Sequence, residues 1–204
     1  MSALTFNDIL IVDVDRSLCP VDTLTILRLR WRLKNWLNLK QLSIWRSISK
    51  QEEKIQLWNE AGFNCEPPTN TGVSTYVRTW KENGGYVAVV SGSSEGLARW
   101  ASQSIDAYVD SVHGSTALEN LTKGNKARFV QTTFQTNRRT YIGDSVDDLP
   151  VWEVCHAAVV IKSPRTERLA IVTLDQVIEY LPNTMSVFRL VAWAKLLCSR
   201  FPNN

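Results

Sequence analysis

The run Ile9-Leu10-Ile11-Val12-Asp13-Val14-Asp15-Arg16-Ser17-Leu18 drives four bulky apolar residues straight into two carboxylates one position apart. An unbroken apolar stretch of this kind reads as a strand buried on both faces, as in a parallel sheet. Asp13 and Asp15 then fall at its carboxyl end, where open α/β sheets bind their ligands. Residues two apart on an extended chain share a side, so the two carboxylates take different jobs only where the strand turns between them. Alone, Asp-x-Asp also fits a turn or a solvated loop; its weight comes from the residues downstream of it.

The same kind of ending recurs. Tyr86-Val87-Ala88-Val89-Val90 runs into Ser91-Gly92-Ser93-Ser94 and a helical pattern from Glu95. Lys123-Gly124-Asn125-Lys126 opens a helix that continues through Ala127, Arg128, Phe129 and Val130. Thr140-Tyr141-Ile142 then ends in Gly143-Asp144-Ser145-Val146-Asp147-Asp148-Leu149-Pro150. Three apolar strands thus each terminate in hydroxyls or carboxylates, with a lysine ahead of the last. This ordered set resembles the haloacid dehalogenase (HAD) superfamily of phosphotransferases. Its four motifs are Asp-x-Asp, a Ser or Thr after the second strand, a Lys, and Gly-Asp-x-x-x-Asp. The resemblance spans about residues 8 to 175.

A chain of 204 residues gives one domain, or one domain with a small insertion, and can bury a substantial core. Its 44% hydrophobic and 21% charged content is that of a soluble globular chain, and no apolar run reaches the roughly 18 residues a membrane span needs. Cys19, Cys65, Cys155 and Cys198 are scattered without Cys-x-x-Cys spacing, which points to reduced thiols and a cytoplasmic location. His113 and His156 are too far apart for a local metal motif, and no signal peptide is recognisable. A net charge of +3 is too modest to favour nucleic acid as a partner.

After residue 69, helix and strand signals alternate as βαβ units require. Helices are expected over 69–83, closed by Gly84-Gly85, and over 95–104, 123–134, 147–155 and 186–200, with another starting at Pro164. Strands are expected at Ala107-Tyr108-Val109, Arg139–Ile142 and Ala157–Ile161. Residues 24–58 differ, with Leu, Ile and Trp at mixed three- and four-residue spacings and no strand-like alternation. The expected organisation is an α/β core over 1–19 and 69–183, a helical insertion over 20–68, and a C-terminal helix over 184–204. The resemblance implies a HAD-like Rossmannoid parallel sheet flanked by helices. It also implies a mobile cap for the insertion, which lies between motifs one and two. The bland alternative is that its helices simply pack on the core.

The resemblance also implies roles. Asp13 would be the nucleophile that forms an aspartyl-phosphate, and Asp15 the acid and then base. Mg²⁺ would bridge Asp13, the backbone carbonyl of Asp15 and Asp144, hard oxygens for a hard cation. Asp148 would support the metal directly or through water, whereas Asp147 fits a helix N-terminal carboxylate. Ser91 and backbone N–H groups around Gly92 would bind the phosphoryl group, although Ser91 also suits a turn or an N-cap. Lys126 would neutralise charge between nucleophile and phosphate; Lys123 is its rival on the same helix start.

Two departures stand out from the usual Asp-x-Asp-Gly-Thr. Ser17 keeps the hydroxyl, but Arg16 replaces a residue chosen for backbone freedom. Arg16 either enters the cleft to bind an anionic substrate or sits in solvent. Together these residues imply a Mg²⁺-dependent phosphatase acting on a phosphorylated small molecule.

A closer likeness joins the fourth motif, Ser163-Pro164-Arg165 and Phe188–Lys195 to the soluble HAD domain fused ahead of UbiA-type polyprenyl transferases. It suggests a polyprenyl-linked sugar phosphate as substrate. Alternatively the chain is a non-catalytic module docking on, or regulating, a membrane prenyltransferase. Between Leu24 and Trp58 lie eight basic residues (Arg28, Arg30, Arg32, Lys34, Lys40, Arg46, Lys50, Lys54) against Glu52 and Glu53, with Trp31, Trp36, Trp45 and Trp58 interleaved. That composition suggests peripheral contact with a membrane surface, or else a solvated basic face over a Trp-containing core.

Overall fold

Six strands form one parallel sheet in the computed structural model, which describes residues 8–35, 49–135, 138–162, 166, 177–182 and 186–199. They are β1 (Asp8–Val12), β2 (Tyr86–Ser94), β3 (Ser111–Ser115), β4 (Arg138–Gly143), β5 (Ala157–Ile161) and β6 (Val177–Leu181). Their order is β3-β2-β1-β4-β5-β6, with every neighbouring pair parallel. The direction of winding therefore reverses between β1 and β4. A crevice opens at the carboxyl ends of strands flanking such a switch point, and Asp13 and Asp144 follow those two strands.

The sheet is covered on both faces, which is why its strands read as unbroken apolar runs. Leu10, Val12, Val87, Val89, Ile142, Val159 and Ile161 bury one face. Alternate residues Ile9, Ile11, Ala88, Val90, Tyr141, Ala158 and Val160 bury the other. The first face packs under α1 (Thr23–Lys34), α2 (Lys50–Ala61), α3 (Thr71–Glu82) and α4 (Glu95–Ser102). The second packs under α5 (Gly124–Thr133) and α6 (Leu149–Glu153); α7 (Ser186–Cys198) joins the first layer through Ala192 and Leu196.

The helices start where side chains can satisfy their free N–H groups. Asp22 accepts from Thr25 N at the start of α1, Ser49 and Glu52 form a capping box at α2, and Asn70 accepts from Gly72 N at α3. Three expectations need correction. Residues 107–109 are not a strand: the chain continues from α4 into a tight helical stretch, Gln103–Tyr108, and the strand comes later as β3. The helix expected over 147–155 divides into one tight turn, Val146–Asp148, and the short α6. The helix placed at Pro164 lies outside the described residues.

The third correction concerns the insertion. Its basic residues do not form one open face. Arg28 is bidentate with Glu53, Nε to Oε1 at 2.8 Å and Nη2 to Oε2 at 2.9 Å. Arg30 is fully buried, and Lys54 and Trp31 are buried too. Arg30 ties the ends of two helices together, donating to Ala61 O and Gly62 O after α2 and to Leu196 O, Leu197 O and Ser199 O at the end of α7. A guanidinium suits that task because it fans several donors out from one rigid plane. Arg32, Lys34 and Lys50 do reach solvent, while Trp36, Lys40, Trp45 and Arg46 lie outside the described residues.

Candidate active site

Beyond Val12 the chain leaves β1 while its backbone stays tied to β4, Asp13 N donating to Ile142 O at 3.1 Å. It then folds back on itself: Leu18 N donates to Asp13 O and Cys19 N to Val14 O. Arg16 sits in this turn with φ of 61°, the left-handed region that favours glycine. Ser17 is buried.

Asp13 is buried and receives the Lys126 ammonium at 2.8 Å on Oδ1. Lys126, in the first turn of α5, is itself 5% exposed and also donates to Tyr141 Oη at 2.9 Å. Tyr141 in turn donates to Asp148 Oδ1 at 2.7 Å. Lys123, the rival, has the opposite fate: it is 68% exposed at the helix cap and pairs with exposed Asp147. The geometry thus separates two lysines that sequence left open.

Asp148 is pinned from all sides. Its Oδ2 accepts from Asp144 N, Ser145 N and Ser145 Oγ at 3.0–3.2 Å. Gly143 makes this possible, because a Cβ there would lie 2.8 Å from Asp148 Oδ2. Ligand oxygens of Asp13, Asp144 and Asp148 all fall within 4.8 Å of one another. Burial raises Asp13 to about 7 against the opposing pull of Lys126, with Asp148 and Asp15 adding like charge. Burial raises Asp144 to about 8, opposed by Arg16 and reinforced by the neighbouring carboxylates. Asp13 and Asp148 thus share one buried ammonium, while Asp144 faces the Arg16 guanidinium. Hard oxygen donors with an excess of negative charge fit a divalent cation such as Mg²⁺ or Mn²⁺.

The Asp15 carboxylate stands apart from that cluster, because the chain has left β1 at Val12 and turns back at Val14, whose carbonyl accepts from Ser17 N and Cys19 N. Its Oδ1 accepts from Thr23 N at 2.8 Å and Thr23 Oγ1 at 2.5 Å, and its Oδ2 from Ser93 Oγ at 2.8 Å. Burial raises its pKa, helped by Asp22 and opposed by those hydrogen bonds. Arg16 turns into the site, its Nε 3.2 Å from Asp144 Oδ2.

Ser91 and Gly92 lie at the end of β2, which continues to Ser94 with an irregular register instead of stopping at Val90. Ser91 is buried, and its Oγ accepts from Ser93 N at 3.0 Å, which leaves the hydroxyl hydrogen free to be aimed elsewhere. Gly92 admits Leu121 O and Thr122, which a Cβ would meet at 3.1–3.2 Å. Sequence reasoning did not single out Thr23, Ser93, Tyr141 or a site role for Lys54. Thr23 and Ser93 carry no signal beyond being hydroxyls near the turns. Tyr141 reads as one more apolar strand residue. All four cysteines are free, and no described helix is long and apolar enough to cross a membrane.

No family model matches this sequence, and no curated protein matches it. Solved structures do match its fold. Phosphoserine phosphatase in apo form aligns at TM-score 0.58 and 12% identity over 85% of this chain and 92% of that one. A HAD family hydrolase from Salmonella enterica serovar Typhi aligns at 0.59 and 12%, over 88% and 68%. A phospho-aspartyl intermediate analogue of phosphoserine phosphatase aligns at 0.54 and 11%, over 92% and 98%. The fold is that of the HAD hydrolases.

Proposed function

We propose that this chain is a metal-dependent phosphoric monoester hydrolase working through an aspartyl-phosphate. The observation that carries the proposal is the Lys126 ammonium on the Asp13 carboxylate, beside Asp144 and Asp148, at the switch point of a HAD fold. That a phosphoserine phosphatase of this fold has a phospho-aspartyl analogue supports it.

In this account Asp13 attacks phosphorus in line and the ester oxygen leaves as an alcohol. Asp15 protonates that oxygen, then removes a proton from the water that cleaves the aspartyl-phosphate. Its raised pKa keeps a proton available closer to neutral pH, and Thr23 and Ser93 hold it aside from Asp13. Ser91, the backbone at Gly92 and Lys126 hold the phosphoryl oxygens. Mg²⁺, held by Asp13, the Asp15 carbonyl and Asp144 with Asp148 in support, would neutralise charge on the transferring group. In this reading α1 and α2 belong to a cap over this site.

The substrate is a phosphorylated small molecule. A polyprenyl-linked sugar phosphate and a peripheral membrane position draw support from α7, where Phe188, Leu190 and Val191 are exposed beside Arg189. A second reading, a non-catalytic module that docks on a membrane prenyltransferase, is favoured by Arg16 occupying Asp144. A panel of phosphate monoesters assayed with and without Mg²⁺ separates the two: turnover supports the hydrolase, and silence across the panel supports the module.

A further inference from the structure

The inserted helix α2 carries a buried cation that the steps above leave unused. Lys54 is 8% exposed, and its ammonium donates to Gly92 O at 2.5 Å and to Asn120 Oδ1 at 3.4 Å. Both partners are neutral carbonyls. Its charged neighbours are Asp15, Lys126, Arg28 and Glu53, and it forms an ion pair with none of them. Arg28 and Glu53 are committed to each other, and Asp15 to Thr23 and Ser93. Burial pushes the Lys54 pKa down, as expected of an ammonium short of counter-charge. Buried charges are ordinarily paired, so a lysine left this way at a ligand site is completed by the ligand.

We infer that Lys54 is an anion-binding residue of this site, supplied by the insertion and facing the same phosphate as Lys126. An ammonium has three N–H donors, and Gly92 and Asn120 take two. The third is free for a phosphate oxygen. The placement is consistent with the loop it grips. The Gly92 carbonyl accepts from Lys54 and from Ser115 Oγ, while the N–H of that same peptide, on Ser93, donates to Ser91 Oγ. Lys54 thus holds the backbone that aims Ser91 and adds a charge beside it.

A consequence concerns the insertion as a whole. A dianion held by Lys126 on α5 and Lys54 on α2 bridges core and insertion, so binding the anion draws the two together. Charge balance agrees: Asp13, Asp15, Asp144 and Asp148 face Lys126, Lys54 and Arg16, and a divalent cation tips this set positive enough to receive a dianion.

The inference rests on the proposed phosphate site, and the test tells the two apart. Inorganic phosphate is titrated calorimetrically, in excess Mg²⁺, into wild type, Lys54→Met and Lys54→Arg. Losing one charge-assisted hydrogen bond should raise the phosphate Kd about ten- to hundredfold in Lys54→Met, with Lys54→Arg recovering most of the loss. A lysine that merely braces Gly92 would lower the melting temperature of Lys54→Met yet leave phosphate affinity within about twofold, and that result overturns the inference alone. Wild type that does not bind phosphate at all overturns both the inference and the site it rests on. Should Lys54→Met fail to fold, the ¹⁵Nζ resonance of Lys54 in lysine-labelled wild type decides. It should shift when phosphate is added, and an unmoved resonance overturns the inference.

Discussion

Arg16 Nε lies 3.2 Å from Asp144 Oδ2, so the side chain that replaces a glycine of the usual pattern is the counter-ion of a candidate metal ligand. The left-handed backbone at Arg16 turns the guanidinium back over the end of β4. A cation entering between Asp13 and Asp144 must displace this pairing. Arg16→Ala should therefore tighten Mg²⁺ binding about three- to tenfold, a modest figure because the guanidinium is 29% exposed and partly screened. Calorimetric titration of Mg²⁺ into both proteins checks it. Equal or weaker binding by Arg16→Ala would show that the pair does not compete with metal.

Acidity gives a second expectation. Asp13 and Asp144 rise from an ordinary 3.8 to about 7 and about 8, so the folded protein holds protons that the unfolded chain releases. Groups raised in this way contribute stability below the unfolded value, and lose it as pH climbs through the folded one. Without metal, the melting temperature should fall as pH rises from about 5 to 8. Mg²⁺ should reverse this by taking the place of those protons, with a stabilisation that grows with pH. A Mg²⁺ shift that is flat across this range would contradict the shared carboxylate site.

Packing of the insertion gives a third. Arg30 satisfies the carbonyls that end both α2 and α7, and is fully buried while doing so. Arg30→Met keeps the bulk and leaves those acceptors unmet, at a cost of about 3 kcal/mol or more in urea unfolding. Arg30→Lys should recover little, because one ammonium cannot span both helix ends. A loss under about 1 kcal/mol would mean water replaces these bonds freely.

The chain displayed its sheet plainly because each central strand is buried on both faces and ends in polar residues. β3 was misplaced because an edge strand reading Ser111-Val112-His113-Gly114-Ser115 has no apolar run to announce it. Asp13, Asp144 and Lys126 were legible as motif positions, but the choice of Lys126 over Lys123 was not. One turn of helix separates a buried ammonium from a solvated one, and only the packing of α5 decides which is which. The basic stretch of the insertion misled for a related reason. Composition counts Arg28, Arg30 and Lys54 as open surface charge, yet partners far away in sequence hold them: Glu53 pairs with Arg28, while Leu196 and Gly92 take Arg30 and Lys54 inward.

The central claim is that Asp13 is the nucleophile of a metal-dependent phosphatase, and one assay tests it most directly. Hydrolysis of p-nitrophenyl phosphate is followed with Mg²⁺ for wild type and Asp13→Asn, with folding of both confirmed by circular dichroism. Wild type should turn the ester over, excess chelator should abolish turnover, and Asp13→Asn should lose on the order of 10⁴-fold in kcat. Asp13→Asn protein that retained more than a small fraction of wild-type activity, or wild-type activity undiminished by chelator, would contradict the account.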